Sequence, residues 1–233
     1  MKLNFRKGMY DGIPIALGYL SVSFGFGLLA AQYGLSVFAS GMISLTNVTS
    51  AGQAAGIEVI AASGTILEMI LVQITINIRY SLMALTLSQR LDKSFSPIHR
   101  LIASYGITDE IFAVCASQKE KLKPSYMYGM ISVAVLGWTS GTVLGAAAGD
   151  LLPLSVTSAM GILLYGMFIA IIIPPARKSL SVAITVIAAA AFSILFRYLF
   201  TQVSRGFAII LSAIAASVIA ALIFPVKDEE EDE

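Results

Sequence analysis

The feature that most constrains this chain is a run of 46 residues, from Gly12 to Ile57, that contains no charged side chain. A helix that spans the roughly 30 Å hydrocarbon core of a bilayer needs about 20 mostly apolar residues. The first run therefore has room for two passes. Further uncharged runs, each long enough for about one pass, cover residues 125–149, 151–176, 179–196 and 206–226. The pattern predicts a polytopic membrane protein.

The composition agrees with a membrane-embedded chain. Of 233 residues, 57% are hydrophobic and 12% are charged, whereas a soluble domain carries about 25% charged residues. We predict a single transmembrane transporter domain over residues 1–226 and an acidic cytoplasmic tail over residues 227–233. The basic N-terminus is typical of a signal peptide, but the apolar run behind it exceeds the 7–15 residues of a signal core. We therefore expect a retained first helix.

Basic residues set the expected orientation. They form clusters at residues 2–7, 90–100, 119–123 and 177–178, and short cytoplasmic loops are enriched in lysine and arginine. Both termini are therefore expected in the cytoplasm. Arg197 and Arg205 oppose this assignment, because they flank a loop that it places outside.

The fold class predicted is all-α, with about seven or eight helices. Spans are expected near residues 10–33, 38–54, 125–148, 154–173, 180–199 and 206–224, and residues 57–75 are a further candidate. The piece 77–89 is too short to span alone, so it is either half of a broken helix or the tail of one long helix. Residues 101–116 lie between two basic loops, which predicts a re-entrant segment or a surface helix. A broken or re-entrant segment is also expected near 38–56.

Glycines suggest an internal repeat and a packing surface. A shift of 119 residues aligns 17–37 with 136–156, including Gly18 with Gly137; a repeat and a shared apolar composition explain the match equally well. Glycine recurs at every fourth position from 137 to 149, which gives one helix face a flat groove. The groove predicts close packing against a helix of this chain or of another subunit.

Ionisable residues inside the apolar runs are the first candidates for function. Each costs about 2.5–3.5 kcal/mol to insert at the centre of a membrane helix, so it needs a partner or a role. The candidates are Glu58, Glu68, Arg79, Asp109 and Glu110. Structural pairing inside the bundle and a substrate or proton site both remain open. Glu68 and Arg79 share a helix face but are too far apart along the axis to pair with each other.

Three local strings predict a site for a zwitterion. Gly52 and Gln53, with Gly56, indicate either a helix break whose N-terminus receives a carboxylate or an ordinary loop. Asn77 and Arg79 place an amide beside a guanidinium, which can grip a carboxylate with two parallel hydrogen bonds. Thr108 is followed by Asp109 and Glu110, which are either an ordinary helix start or the partners of an ammonium group.

These strings and the ionisable residues together predict the site. The predicted substrate-binding residues are Gly52, Gln53, Asn77, Arg79, Asp109 and Glu110. The candidates for proton coupling are Glu68, Asp109 and Glu110. One cysteine, Cys115, excludes an internal disulfide and a thiolate cluster, and we expect no catalytic residue, metal or cofactor.

The ordered set FGFG at 24–27, AGQA at 51–54, NIRYSLM at 77–83 and TDEIF at 108–112 resembles the AzlC family. The resemblance implies the large subunit of a branched-chain amino-acid exporter that works with a small AzlD-type membrane subunit. It implies leucine, isoleucine and valine as the substrate class and the plasma membrane as the location. Relatives often carry histidine where this chain has Tyr80, and an aromatic residue where it has Ala54. A proton carried by that histidine in relatives would need an acid here.

The sequence thus predicts proton-coupled export of small apolar amino acids. The alternatives left open are uptake of another small zwitterion and a non-transporting scaffold subunit. An intramembrane enzyme is disfavoured, because the chain has no HExxH motif and its one histidine, His99, lies in a basic loop. The few basic residues are explained by topology, so no nucleic-acid partner is expected.

Overall fold

The computed structural model describes residues 3–149, 152, 166, 169 and 172–225, and these residues are helical apart from loops and one isolated bridge between Leu91 and Leu122. Helices of nine or more residues within these ranges are α1 (Phe5–Gln32), α2 (Val37–Thr46), α3 (Ser50–Ala61), α4 (Ile66–Ser88), α5 (Pro97–Tyr105), α6 (Asp109–Ser117), α7 (Pro124–Gly149), α8 (Leu180–Leu199) and α9 (Arg205–Ile223). The chain forms two compact units. Unit 1 contains Met1–Ile57 and Ile76–Tyr165, and unit 2 contains Glu58–Thr75 and Gly166–Glu233.

Five of the described helices, α1, α4, α7, α8 and α9, are long and apolar enough to cross a membrane. This confirms the prediction of a polytopic helical membrane protein. The bounds of α7, α8 and α9 agree with the predicted spans to within a residue, whereas α1 begins five residues early, at Phe5. Asn4 explains the early start, because its side chain accepts a hydrogen bond from the backbone N–H of Lys7 at 2.9 Å and so caps the helix. The predicted span 154–173 lies outside the described residues, apart from residues 166, 169, 172 and 173.

The N-terminal half contains the expected break, but its helices end elsewhere than predicted. Residues 47–49 interrupt the expected helix 38–54 and separate α2 from α3. No helix covers 57–75, because the chain turns between α3 and α4 with Ser63 at a positive φ of 52°. The short piece 77–89 proves to be the tail of one long helix, α4. Residues 101–116 form parts of two short helices, α5 and α6, of nine residues each, and about 14 Å of helix is too short to span.

The core of unit 1 is the close packing of α1 against α7. A Cβ atom added to Gly137, Gly141 or Gly145 would collide with the backbone of α1. The reverse holds for Gly8 and Gly12 of α1, where a Cβ atom would collide with the backbone of α7. The glycine groove is thus a packing surface, as predicted, and its partner is α1 of the same chain. The close approach brings the side chains of both helices together around a buried centre.

Unit 2 contains α8, α9 and the first part of α4. The helices α8 and α9 pack against each other, and Glu68 of α4 binds the N-terminus of α9. Its Oε1 atom accepts hydrogen bonds from Ser204 Oγ at 2.5 Å and from the backbone N–H of Gly206 at 2.8 Å. Glu68 is buried, and it complements the positive end of the α9 dipole. The structure therefore gives Glu68 the separate partner that the sequence required.

The α1–α7 packing predicts opposite effects for two glycine-to-alanine substitutions. Gly145→Ala places a methyl group against the carbonyl of Phe24, and such overpacking costs about 1–3 kcal/mol. Gly18→Ala is the matched control, since a Cβ atom there meets nothing within 4 Å and alanine favours helix over glycine by about 0.8–1 kcal/mol. Thermal unfolding of the purified variants should show a lower melting temperature for Gly145→Ala only. Equal melting temperatures would contradict the packing described.

Candidate functional site

The candidate site of unit 1 surrounds the break between α2 and α3. The break is stabilised by Thr49, whose backbone carbonyl accepts a hydrogen bond from Gln53 N at 2.9 Å. Its side-chain oxygen also accepts one from Gly52 N at 3.4 Å. Threonine is a favoured residue before a helix start because its hydroxyl satisfies an N–H of the first turn. Gly52 therefore lies in the first turn of α3, close to the position that the sequence suggested.

The central contact of the site is an ion pair between Arg79 of α4 and Asp109, the first residue of α6. Arg79 Nη1 lies 3.0 Å from Asp109 Oδ1 and 2.9 Å from Oδ2. The two side chains are 41% and 36% exposed, so the pair is open to a ligand. Asp109 also lies at the positive end of α6, where Thr108 accepts a hydrogen bond from the N–H of Ile111 at 3.4 Å. A carboxylate is stabilised at such a helix start.

A chain of hydrogen bonds joins the ion pair to the helix break. Arg79 Nη2 donates to the Tyr80 hydroxyl at 3.3 Å, and that hydroxyl donates to Thr49 Oγ1 at 3.4 Å. Thr49 Oγ1 in turn donates to Asn77 Oδ1 at 2.8 Å. The guanidinium also lies over the Tyr80 ring, 5.0 Å from its centroid, a favourable cation–π arrangement. These contacts fix the orientation of the Arg79 side chain.

Glu110 directly follows Asp109 in the sequence, and its side chain contacts α1. The hydroxyl of Tyr19 is 2.5 Å from Glu110 Oε2 and 2.6 Å from Thr108 Oγ1. A tyrosine hydroxyl carries one proton, so it donates to only one of these oxygens at a time. Tyr19 is buried and Glu110 is exposed, so the hydroxyl links a buried position to an accessible carboxylate.

Gln53 belongs to a separate buried ring of hydrogen bonds. Trp138 Nε1 donates to Gln53 Oε1 at 2.8 Å, and Gln53 Nε2 donates to Ser44 Oγ at 2.8 Å. Ser44 Oγ lies 2.6 Å from Thr142 Oγ1, which donates to the Trp138 carbonyl at 3.2 Å. All four side chains are buried. The ring ties α2 and α3 to α7 on both sides of the break.

An aromatic pair connects the buried ring, through Trp138, with the Glu110 contact, through Tyr19. Tyr19 and Trp138 pack edge to face with centroids 5.2 Å apart. The sequence interpretation missed Tyr19, Trp138, Ser44 and Thr142. One signal in the sequence could have identified Trp138. The chain's one tryptophan directly follows Gly137 of the packing groove, so it is expected to be buried, and a buried indole N–H needs an acceptor.

The predicted site residues divide into three groups. The first group is connected by hydrogen bonds through Thr49 and Tyr80, and it contains Arg79, Asp109, Asn77 and Gly52. Glu110 directly follows Asp109 in the sequence and is counted with this group. Gln53 lies in the buried ring. Glu68 belongs to unit 2 and binds the start of α9. The part of the chain that the structure describes contains no group of three histidine, cysteine or acidic side chains suited to a metal ion.

Comparison with known proteins identifies relatives over most of the chain. The family model of the AzlC protein matches residues 14–152, a range that includes all four motifs. An uncharacterized membrane protein of Archaeoglobus fulgidus is 31% identical over 172 residues, which cover 73% of this chain and 75% of the relative. The inner membrane protein YgaZ of Escherichia coli is 26% identical over 190 residues, 78% and 77% of the two chains.

A further relative is matched over nearly its whole length. It is an uncharacterized membrane protein of Helicobacter pylori, 25% identical over 222 residues, which cover 89% of this chain and 96% of the relative. No solved structure is significantly similar.

The buried ring predicts a stability cost for removing its amide. Gln53→Leu leaves the Trp138 N–H without its acceptor, whereas the Ser44 hydroxyl keeps its contact with Thr142. An unsatisfied buried donor costs about 1–3 kcal/mol. Gln32→Leu is the control, because Gln32 is exposed at the end of α1. We expect a lower thermal unfolding temperature for Gln53→Leu and little change for Gln32→Leu. An unchanged Gln53→Leu protein would show that the ring contributes nothing to stability.

Proposed function

The chain belongs to the AzlC family of multi-pass membrane proteins, and we propose that it exports branched-chain or similar apolar amino acids as the large subunit of a two-component permease. Family membership and five candidate spans support a transport role in general. The amino-acid substrate rests on the chemistry of the Arg79 site. The single observation that carries the proposal is the partly exposed Arg79–Asp109 ion pair at a break between two helices.

An amino acid carries one negative and one positive charge, so each end of the ligand can replace one partner of the Arg79–Asp109 ion pair. Its carboxylate competes with Asp109 for Arg79, whose fork-shaped guanidinium suits a bidentate carboxylate. Its ammonium then binds the carboxylate of Asp109 or of Glu110. The Arg79–Asp109 ion pair is thereby replaced by two ion pairs with the ligand, so the desolvation of the zwitterion is offset by charged contacts at both ends.

The helix break supplies further polar groups for the same ligand. Thr49 and Asn77 lie within hydrogen-bonding distance of each other beside the ion pair. Irregular backbone at membrane depth is tolerated where it lines a cavity or is buried in protein, and transporters place such breaks at their substrate sites. Gly52 lies in the first turn of α3, and the positive end of the helix dipole there favours a carboxylate nearby.

Proton coupling is assigned to the acids of the same site. Ionised Glu110 accepts a hydrogen bond from the Tyr19 hydroxyl, and protonated Glu110 can donate to that hydroxyl while Tyr19 donates to Thr108. Both protonation states of Glu110 therefore have a partner. Asp109 loses Arg79 as its partner when substrate binds and regains it when substrate leaves, so its proton affinity changes through the cycle. Glu68 is the less suitable carrier, because its contacts are those of a carboxylate that caps α9.

The proposal also covers the membrane, the orientation and the partner of the chain. We place the chain in the plasma membrane with cytoplasmic termini, in agreement with its basic loops. Its proposed partner is a small membrane subunit of the AzlD type, as the family resemblance implies. The scaffold alternative is distinguished from transport by the experiments below.

The proposed function is tested by efflux of preloaded radiolabelled leucine from cells that express this chain with and without an AzlD-type subunit. Efflux that requires both proteins supports the two-component exporter. Uptake without efflux, or no transport of leucine, isoleucine or valine with both proteins in the membrane, would refute it.

A charge-swap series tests whether Arg79 and Asp109 bind substrate or only stabilise the fold. Asp109→Asn and Arg79→Lys should each reduce leucine efflux at least about tenfold, since loss of a charged hydrogen bond costs about 1.5–3 kcal/mol. The double variant Arg79→Asp/Asp109→Arg restores an ion pair but reverses the site, so efflux should stay low. Asp11→Asn is the control, because Asp11 belongs to a different ion pair, with Lys7. Recovery of efflux in the double variant would mean that the pair is structural.

A further inference from the structure

A cleft in unit 2 contains two arginines at the same end of the α8–α9 hairpin. Arg197 lies in the last turn of α8, and Arg205 is the first residue of α9. The cleft has a volume of about 360 Å³, and its polar lining is Glu58, Ser193, Arg197, Thr201 and Arg205. This volume is many times the roughly 30 Å³ that one water molecule occupies in the liquid. The cleft therefore has room for a polar group much larger than water.

Both arginines lack a protein counter-ion within the described ranges. In residues 3–149, 152, 166, 169 and 172–225, the ion pairs are Lys7–Asp11 and Arg79–Asp109. Glu58 lines the same cleft without an ion pair to either guanidinium. The lining therefore carries a net charge of +1, from two arginines and one glutamate.

The start of α9 increases the positive potential near Arg205. A cation in the first turn of a helix is unfavourable with respect to the helix dipole. Glu68 is already bound to Gly206 N and Ser204 Oγ at that helix start, and it forms no ion pair with Arg205 among the described residues. An external anion in the cleft would relieve the repulsion that remains.

The position of the two arginines along their helices indicates which kind of anion the cleft binds. Residues 179–196 and 206–226 are uncharged, so Arg197 and Arg205 lie where two apolar helices leave the hydrocarbon core. The phosphates of phospholipids lie at this depth. The rest of the lining is apolar, including Phe196 and Ile209. This apolar surface is a more favourable environment than water for the first atoms of an acyl chain.

We propose that this cleft binds the phosphodiester of an anionic phospholipid. Arginine pairs with phosphate oxygens through two parallel hydrogen bonds, and a phosphodiester carries the single negative charge that a lining of +1 complements. The hydroxyls of Ser193 and Thr201 provide donors for the remaining oxygens. The site also explains why two arginines flank a loop that the charge distribution otherwise assigns to the outside.

Native mass spectrometry of the purified chain with phosphatidylglycerol and phosphatidylcholine tests this proposal. The wild-type chain should retain phosphatidylglycerol preferentially. In Arg197→Gln/Arg205→Gln this preference should fall about tenfold, the change that 1.4 kcal/mol produces. Lys119→Gln/Lys121→Gln is the matched control, because it removes the same charge from two exposed residues of unit 1. An equal fall in both double variants, or no preference in the wild type, would overturn the proposal.

Glu58→Gln and a competition experiment complete the test. Removing the carboxylate raises the charge of the lining to +2, so Glu58→Gln should retain phosphatidylglycerol more strongly than the wild type, an effect that misfolding cannot produce. Weaker retention would contradict the proposed role of the two arginines. Inorganic phosphate at millimolar concentration should not displace the lipid. If it does, the site binds free phosphate and the assignment to a lipid is wrong.

Discussion

The close approach of α1 and α7 is the contact on which the rest of unit 1 depends. In a bilayer there is no hydrophobic drive to bring two apolar helices together, so they associate through van der Waals contact, which small residues increase. Here glycines on both helices place backbone against backbone. The approach brings Tyr19 of α1 within 5.2 Å of Trp138 of α7, measured between ring centroids. Trp138 then donates to Gln53 of the buried ring, and the Tyr19 hydroxyl contacts Thr108 and Glu110 at the start of α6.

The polar contacts of unit 1 follow from the cost of leaving a polar group unpaired in lipid. The break at residues 47–49 interrupts the helical hydrogen bonds, and Thr49 satisfies groups from α3 and α4 there. The buried ring around Gln53 is closed by contacts among its own four side chains and the Trp138 carbonyl, so it serves to hold the break in place. The Arg79–Asp109 pair differs because both side chains remain partly exposed. A ligand can therefore reach the charged contact without disrupting the ring.

The sequence predicted the spanning helices well and the broken region only in part. Long uncharged runs define α7, α8 and α9, because hydrocarbon thickness fixes their length. The ends of α2 and α3 were misplaced, since Thr49 is an ordinary polar residue in the sequence and its role depends on contacts with Asn77 and Tyr80 of α4. The pairing of Arg79 with Asp109 joins residues 30 positions apart, and no periodicity relates them. Tyr19 and Trp138 were missed for the same reason: their partners are distant in the chain.

Insertion of a zwitterion between Arg79 and Asp109 is tested by calorimetric binding of leucine and two analogues to the purified chain. Leucinamide lacks the carboxylate that Arg79 would hold, and 4-methylpentanoate lacks the ammonium that Asp109 or Glu110 would hold. We expect leucine to bind and both analogues to bind at least about tenfold more weakly, since each loses one charged contact. Equal binding of leucine and leucinamide would contradict the assignment of the carboxylate to Arg79.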